Sequence, residues 1–196
     1  VLGVSRCIEK EYASPFPPEN RKVLVVPETT TQYKLRSETM FGRIAAICKE
    51  IIHTVPGNSA FFFPSYEVLG RVQRLLITEK TVLIENAVMT PPEKQALLET
   101  FKSHAGKGAA LLAVSAGNFS EGIDLPGDYL KTVCIVGLPL AKPDIRTRAL
   151  IQYYDSRFRK GWEYGYVAPA MMKCLQAAGR CIRTPTDRGV IIFIDQ

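Results

Sequence analysis

This 196-residue sequence has few histidines and lacks the cysteine spacing of a metal site. It holds two histidines, and its five cysteines are spread along the chain with no C-x2-C or Cys/His pattern of a zinc site. Single, scattered cysteines are typical of free thiols in a reducing compartment. The sequence therefore predicts no metal site and argues against metal or thiol chemistry. The cysteines are Cys7, Cys48, Cys134, Cys174 and Cys181.

Long hydrophobic runs and a phosphate-binding loop are also missing. No apolar run reaches the ~18–20 residues that a membrane span needs. The opening "VLGVSRCIEK" has no basic segment followed by an apolar block, as a secretory leader would. No G-x4-G-K-[ST] sequence occurs, and no nucleophile–base pair stands out. These absences argue against a membrane protein and against a self-contained nucleotide hydrolase or other complete small enzyme.

The composition is that of a globular domain with a basic surface. Hydrophobic residues make up 46% and charged residues 22% of the chain, enough for one sizeable core. The 25 Lys and Arg residues exceed the 19 Asp and Glu residues, which gives a formal charge of +6. A basic excess mildly favours a polyanionic partner such as nucleic acid.

Strand and helix patterns alternate along the whole chain. Near-continuous apolar runs such as "AALLAVS" and "KTVCIVGL" suit strands that are covered on both faces. Helices of about 10–20 residues separate them, which predicts crossover connections and a parallel sheet in an α/β fold. Strands are predicted at 22–26, 59–63, 82–86, 109–115, 131–138 and 188–195. Helices are predicted at 37–52 with Ser37 as N-cap, from 66 onward, at 91–104 behind a Thr90–Glu93 capping box, at 143–160 and at 169–182.

The stretch "QAAGRCIR" carries two arginines with no carboxylate at helical spacing to neutralise them. If it is helical, one stripe is apolar and buried, and a second stripe is cationic. The glycine would let another surface come close, and a cationic fork beside it suits a phosphate. Two solvated surface arginines are the alternative. The apolar stripe is Met171, Leu175, Ala178 and Ile182, and the cationic stripe is Gln176, Gly179, Arg180 and Arg183.

Two loops that follow predicted strands could also hold ligands. Ser65 and Tyr66 follow the strand "SAFFF", where Ser65 is either a plain helix cap or, with Tyr66, a contact for a nucleic-acid phosphate. The loop "AGNFSEGIDLPG" at 116–127 follows "AALLAVS". Its glycines would let backbone amides approach phosphates or sugars, and Asp124 could hold ribose or serve a turn.

Taken together and in order, these stretches resemble one family. "FFFPSY", "FSEGIDLPG" and "QAAGRCIRTPTDRG" are similar to motifs IV, V and VI of the second RecA-like motor domain of XPD/DinG-type superfamily 2 DNA helicases. Further similar stretches are "SPFPPENR", "YYDSRF" and "WEYGY". The resemblance covers nearly the whole chain. It implies a RecA-like, mostly parallel sheet with helices on both faces, formed by residues 21–196 after a connecting segment at 1–20.

The resemblance also implies roles for matching residues. Arg183 would be an arginine finger on the γ-phosphoryl group of ATP, and Arg180 a second phosphate-contacting cation. Four residues would lie on the nucleotide side, namely Gln176, Gly179, Gly122 and Asp124. Six would lie on the DNA or coupling side, namely Ser65, Tyr66, Ser120, Glu121, Arg157 and Trp162. For Trp162, stacking on a base and packing inside the domain both remain open.

The same resemblance implies partners that this sequence lacks. ATP and Mg²⁺ would be bound mainly by a first motor domain with Walker A and B elements, and a 4Fe-4S cluster would belong to that first half. The chain, which begins at Val1, is therefore expected to be a C-terminal piece, inactive alone. Expected partners are single-stranded DNA, the N-terminal motor domain and repair or transcription-factor subunits, in the cytoplasm of a prokaryote or the nucleus of a eukaryote, with no membrane. The alternative is a non-catalytic module that binds single-stranded nucleic acid.

Overall fold

Among the described residues, six parallel strands form one sheet, in the order Arg21–Val26, Gly189–Ile194, Thr132–Val136, Ser59–Phe63, Ala109–Val114 and Thr81–Ile84. The computed structural model describes residues 8, 10–115, 117, 119, 125, 127–140 and 143–196. The strands are β1 Arg21–Val26, β2 Ser59–Phe63, β3 Thr81–Ile84, β4 Ala109–Val114, β5 Thr132–Val136 and β6 Gly189–Ile194. The helices are α1 Glu38–Thr54, α2 Tyr66–Leu75, α3 Pro91–Ser103, α4 Ile145–Phe158 and α5 Ala168–Ala178. The predicted alternation and the parallel sheet are confirmed.

Three strands in the middle of the sheet are fully buried. Strands β2, β4 and β5 are buried along their whole length, and β2 pairs with both of the others. Strand β1 lies at one end of the sheet and is exposed over most of its length. The apolar runs of β4 and β5 therefore belong to strands covered on both faces, as predicted, whereas the apolar run of β1 does not.

Helices cover both faces of the sheet, as expected for a RecA-like fold. Side chains alternate along β2, so Phe61 and Phe63 join the core formed with α1 and α2. Phe62 points to the opposite face, where it meets Phe101 of α3 and Cys174 of α5 in a second core. The predicted α/β class, with a sheet between two helical layers, is confirmed. None of the described helices combines the length and the apolar character needed to cross a bilayer.

Polar caps fix where three helices begin. The Ser37 hydroxyl accepts a hydrogen bond from the Met40 amide at 3.2 Å, as the sequence predicted. The Glu93 carboxylate accepts from the Thr90 amide at 2.7 Å and from the Thr90 hydroxyl at 2.8 Å. These bonds lower the pKa of Glu93. The Asp144 carboxylate caps α4 by accepting from the Thr147 amide at 2.7 Å, which lowers the pKa of Asp144.

Helix α5 differs from its prediction in length and in buried face. It ends at Ala178, a single 3-10 turn spans Gly179–Cys181, and Ile182 is extended with φ −128° and ψ 109°. The buried residues of α5 are Ala170, Cys174, Ala177 and Ala178. Met171 and Leu175, expected on the buried stripe, are 39% and 52% exposed. Small side chains face the sheet because they let the helix axis approach it closely.

Candidate functional site

Two pairs of predicted site residues fall at opposite edges of the sheet. All strands run in the same direction, so residues that precede strands share one edge and residues that follow strands share the other. Ser65 and Tyr66 follow β2, whereas Arg180 and Arg183 precede β6. Ser65 and Tyr66 are therefore separated from the two arginines by the length of the strands.

The two arginines do not lie on one helical face, contrary to the prediction. Because α5 ends at Ala178, the predicted cationic stripe from Gln176 to Arg183 does not form on one helix. Arg180 is buried, with 7% of its surface exposed, while Arg183 is exposed on the segment beyond the 3-10 turn. Gln176 and Gly179 are exposed as well. Arg183 is thus the arginine of this pair that a neighbouring molecule can reach directly.

The segment that carries Arg183 is held by the carboxylate of Asp187. Asp187 Oδ2 accepts hydrogen bonds from the Arg183 and Thr184 amides, both at 2.8 Å. Oδ1 accepts from the Thr184 hydroxyl at 2.6 Å and from the Gly127 amide at 3.2 Å. Burial alone would raise the pKa of Asp187, but these hydrogen bonds outweigh it and lower that pKa. Asp187 therefore stays ionised and joins the end of the 116–127 loop to the arginine segment.

Cys181 anchors the preceding 3-10 turn to the sheet. Its thiol donates to the carbonyl oxygens of Lys131 at 3.6 Å and Val190 at 3.7 Å. Burial raises the pKa of Cys181 to about 11, so the thiol is protonated at neutral pH. The other described cysteines, Cys48, Cys134 and Cys174, are also free, as the sequence predicted, and the structure buries all three. These thiols have structural roles.

At the other edge, Tyr66 is tied to a buried glutamate. The Tyr66 hydroxyl donates to Glu85 Oε1 at 3.0 Å, and the Val114 amide donates to Oε2 at 2.7 Å. Burial, then the hydrogen bond to Glu85 and its charge, raises the pKa of Tyr66 to about 12. A Cβ on Gly117 would stand 2.5 Å from Glu85 Oε1, so a larger residue there would force the Glu85 carboxylate to shift. Ser65 caps α2, accepting from the Val68 amide at 3.3 Å.

Aromatic side chains surround the other candidate DNA contacts. Trp162 is 52% exposed, and its ring centre lies 4.5 Å from that of Tyr166. Both line an open cavity of about 370 Å³, together with Arg36 and Asp195. Asp195 and Leu138, which also lines this cavity, follow β6 and β5, so Trp162 lies at the same edge of the sheet as Tyr66.

Arg157 lies on α4 beside a second group of rings. Its Nη1 is 3.4 Å from the Tyr153 hydroxyl, and its guanidinium carbon is 6.0 Å from the Phe158 ring centre. Tyr164 joins this group, 6.0 Å from the Phe158 ring. Exposed rings and a cation on one surface are the elements of a single-strand binding platform.

Four predicted site residues lie outside the described residues, namely Ser120, Glu121, Gly122 and Asp124. Within the described part of the chain, no three His, Cys, Asp or Glu side chains are grouped so that they could hold a metal ion. The described cysteines therefore do not fit an iron–sulfur cluster.

Two buried carboxylates, Asp187 and Glu85, hold the described site together, and neither was among the residues predicted to form it. Asp187 lies in the turn-forming run "TPTDRG", and this signal was available from the sequence. Glu85 ends the apolar run "VLIE", where a carboxylate at the carboxyl end of a strand could have been noticed. Their partners lie up to 60 residues away, as with Asp187 and Gly127.

Comparison with known protein families shows which family this chain belongs to. The helicase C-terminal domain family matches residues 48–196, more than half of the chain. The chain belongs to this family. Relatives and solved structures of the XPD and DinG type agree with that assignment, so the chain is a C-terminal helicase domain of the XPD/DinG type within superfamily 2.

Two relatives and one solved structure illustrate the similarity. The XPD helicase subunit of general transcription and DNA repair factor IIH from Dictyostelium discoideum is 28% identical over 85% of this helicase domain and 23% of its own length. The ATP-dependent DNA helicase DinG of Photobacterium profundum is 28% identical over 94% of the domain and 26% of its own length. A solved apo XPD structure superposes with a TM-score of 0.74 at 25% identity, covering 90% of the domain and 36% of that chain. The chain thus spans about a quarter to a third of these proteins.

Proposed function

We propose that this helicase C-terminal domain is the second motor domain of an ATP-dependent DNA helicase. In this proposal Arg183 is the arginine finger, which stabilises the charge on the γ-phosphoryl group of ATP held by a first motor domain. Arg180, Gln176 and Gly179 support the same cleft, and Gly122 and Asp124 approach the nucleotide ribose. Hydrolysis releases the contact between the two domains, and this alternation moves single-stranded DNA.

The observation that carries the proposal is the placement of Arg183. A finger must project from its own domain and still keep a fixed position, because it acts on a phosphate bound elsewhere. Arg183 is exposed, while its backbone amide is bonded to buried Asp187 at 2.8 Å. An exposed guanidinium on an anchored backbone meets both requirements.

ATP and Mg²⁺ would be held mainly outside this chain. The sequence has no Walker A loop, and the described residues offer no group of three carboxylates, histidines or cysteines for a metal ion. Mg²⁺ would neutralise developing phosphate charge from the first motor domain, which would also carry the 4Fe-4S cluster. This chain would contribute the two arginines and no metal ligand among its described residues.

Single-stranded DNA would run along the edge where β2, β5 and β6 end. Trp162 offers an exposed ring for a base, and Arg157 offers a cation for a backbone phosphate. Ser65 and Tyr66 would act from the start of α2, with Ser120 and Glu121 on the adjoining loop. The formal charge of +6 favours the approach of a polyanion. Repair or transcription-factor subunits are further proposed partners.

ATP hydrolysis by the chain alone and by a full-length protein that contains it tests this proposal. We expect DNA-stimulated turnover from the full-length protein and none from the 196-residue chain. Turnover by the chain alone, or its absence from the full-length protein, would contradict the proposal. An inactive full-length protein that still binds single strands would favour the alternative of a non-catalytic binding module.

Single-strand titrations at two salt concentrations test the DNA edge. In the full-length protein, Trp162→Ala should weaken binding about fivefold to a hundredfold, since base stacking contributes ~1–3 kcal/mol, and leave the salt dependence unchanged. Arg157→Ala should reduce the salt slope by about one, as loss of one phosphate contact does. Tyr12→Ala, an exposed aromatic outside both ring groups, is the matched control and should change neither value. Equal affinities for Trp162→Ala and wild type would remove Trp162 from the DNA path.

A further inference from the structure

We propose that Asp187 is a positioning residue for the arginine finger, acting by clamping the Arg183 segment to the end of the 116–127 loop. This inference rests on the proposed function of Arg183. It assigns a task in catalysis to a buried carboxylate that accepts hydrogen bonds from its own chain.

The contacts of Asp187 use both oxygens and reach two separate parts of the chain. Oδ2 accepts from the amides of Arg183 and Thr184, so it fixes the backbone from which the Arg183 side chain projects. Oδ1 accepts from the Thr184 hydroxyl at 2.6 Å and from the Gly127 amide at 3.2 Å. Gly127 is 60 residues away along the chain. The carboxylate therefore connects two loops as well as closing a local turn.

The geometry of Gly127 directs its amide toward Asp187. Gly127 has φ +66°, in the left-handed region that favours glycine, and it directly follows the loop with Gly122 and Asp124. That loop is proposed to approach the nucleotide ribose. One buried carboxylate, which is 7% exposed, thus joins Gly127 to the segment that carries Arg183.

Asparagine cannot replace this carboxylate, although it has nearly the same shape. Each Asp187 oxygen accepts two hydrogen bonds, and all of the donors are N–H or O–H groups. An amide nitrogen in place of either oxygen would point donors at donors. Asp187→Asn therefore breaks the clamp on one side while it leaves the Arg183 side chain itself intact.

A double-mutant cycle in the full-length protein tests this role. ATP hydrolysis is measured for wild type, Asp187→Asn, Arg183→Ala and the double variant, with single-turnover assays on radiolabelled ATP for the slow forms. Asp187→Asn should lower kcat about tenfold or more with KM for ATP within about twofold, because positioning is lost and nucleotide binding is kept. In the Arg183→Ala background, adding Asp187→Asn should lower kcat by a further factor of less than about two, since no finger remains to be positioned.

Controls separate positioning from folding. Asp128→Asn makes the same chemical change beside Gly127, on an exposed carboxylate outside the clamp, and should keep wild-type kcat. Thr184→Val removes the hydroxyl bond to Oδ1, together with the 3.1 Å contact between the Thr184 and Thr186 hydroxyls, and keeps both amide bonds to Oδ2. It should lower kcat about two- to fivefold with the same lack of additivity. It serves as the test if Asp187→Asn does not fold.

Two outcomes overturn the inference. One is an unchanged kcat in Asp187→Asn, and the other is an equal loss with and without Arg183, which would mean a general effect on the fold. If Arg183→Ala itself keeps the wild-type kcat, the proposed role of Arg183 as the arginine finger is wrong. This result can be told apart from the two outcomes above.

Discussion

The Tyr66 hydroxyl satisfies a buried charge, and this makes its removal costly. It donates to Glu85, whose carboxylate is 2% exposed and also accepts from Val114. Tyr66→Phe should lower the free energy of unfolding of the chain by about 1.5–3 kcal/mol, as expected for a bond to a charged acceptor. Urea unfolding measures this value. Tyr129→Phe, an exposed tyrosine at the opposite edge, is the control and should change stability by less than about 0.5 kcal/mol. A similar loss in both variants would contradict the account.

The lowered pKa of Asp187 has a consequence for stability at acid pH. A carboxyl whose pKa is lower in the folded chain than in the unfolded chain stabilises the fold above its unfolded pKa of ~3.9. That stabilisation is lost as the pH falls through the lower folded value. Wild type should therefore exceed Asp187→Asn in stability at pH 7, and the difference should narrow below about pH 4. Urea unfolding of both proteins from pH 7 downward checks this, and a constant difference would contradict it.

Helix α4 and the π-helical turn Glu163–Val167 depend on a close backbone approach at Gly165. A Cβ there would stand 2.8 Å from both N and Cα of Ile151, and backbone atoms cannot move aside cheaply. Gly165→Ala should destabilise the chain by about 1–3 kcal/mol. The change should also alter the emission of Trp162, the single tryptophan, which lies next to this turn.

Gly42→Ala is the matched control for this substitution. Gly42 lies inside α1, and an added Cβ would meet nothing within 4 Å. Since alanine favours a helix by ~1 kcal/mol over glycine, this variant should be neutral or more stable. Thermal unfolding of both variants compares them. Equal stabilities of Gly165→Ala and Gly42→Ala would contradict the close packing of α4 against the turn.

Sequence patterns could predict these elements far better than their long-range partners. The strands and the caps at Ser37 and Thr90 depend on residues close in sequence. For most elements the predicted ends therefore lie within one or two residues of the observed ends. The buried face of α5 could not be predicted, because the stripe with Met171 and the stripe with Cys174 have the same apolar spacing. Only packing against the sheet selects the smaller side chains.

The arrangement of the whole domain follows from the sheet. Strand order depends on crossovers that no single motif reveals. The common direction of the strands places the arginine segment at one edge and Tyr66 and Trp162 at the other. Motif order along the chain gave the family correctly, yet it could not show that Arg180 is buried while Arg183 is exposed. That difference depends on where α5 ends.

The central claim is that Arg183 acts on a nucleotide bound by a neighbouring domain, and one comparison tests it most directly. In the full-length protein with saturating single-stranded DNA, kcat for ATP hydrolysis and the Kd for ATP are measured for wild type and Arg183→Ala. Arg188→Ala, an exposed arginine of the same segment, is the control. We predict that Arg183→Ala lowers kcat by about 10³–10⁵ and leaves the Kd within about threefold, while Arg188→Ala keeps both. Unimpaired hydrolysis by Arg183→Ala would contradict the account.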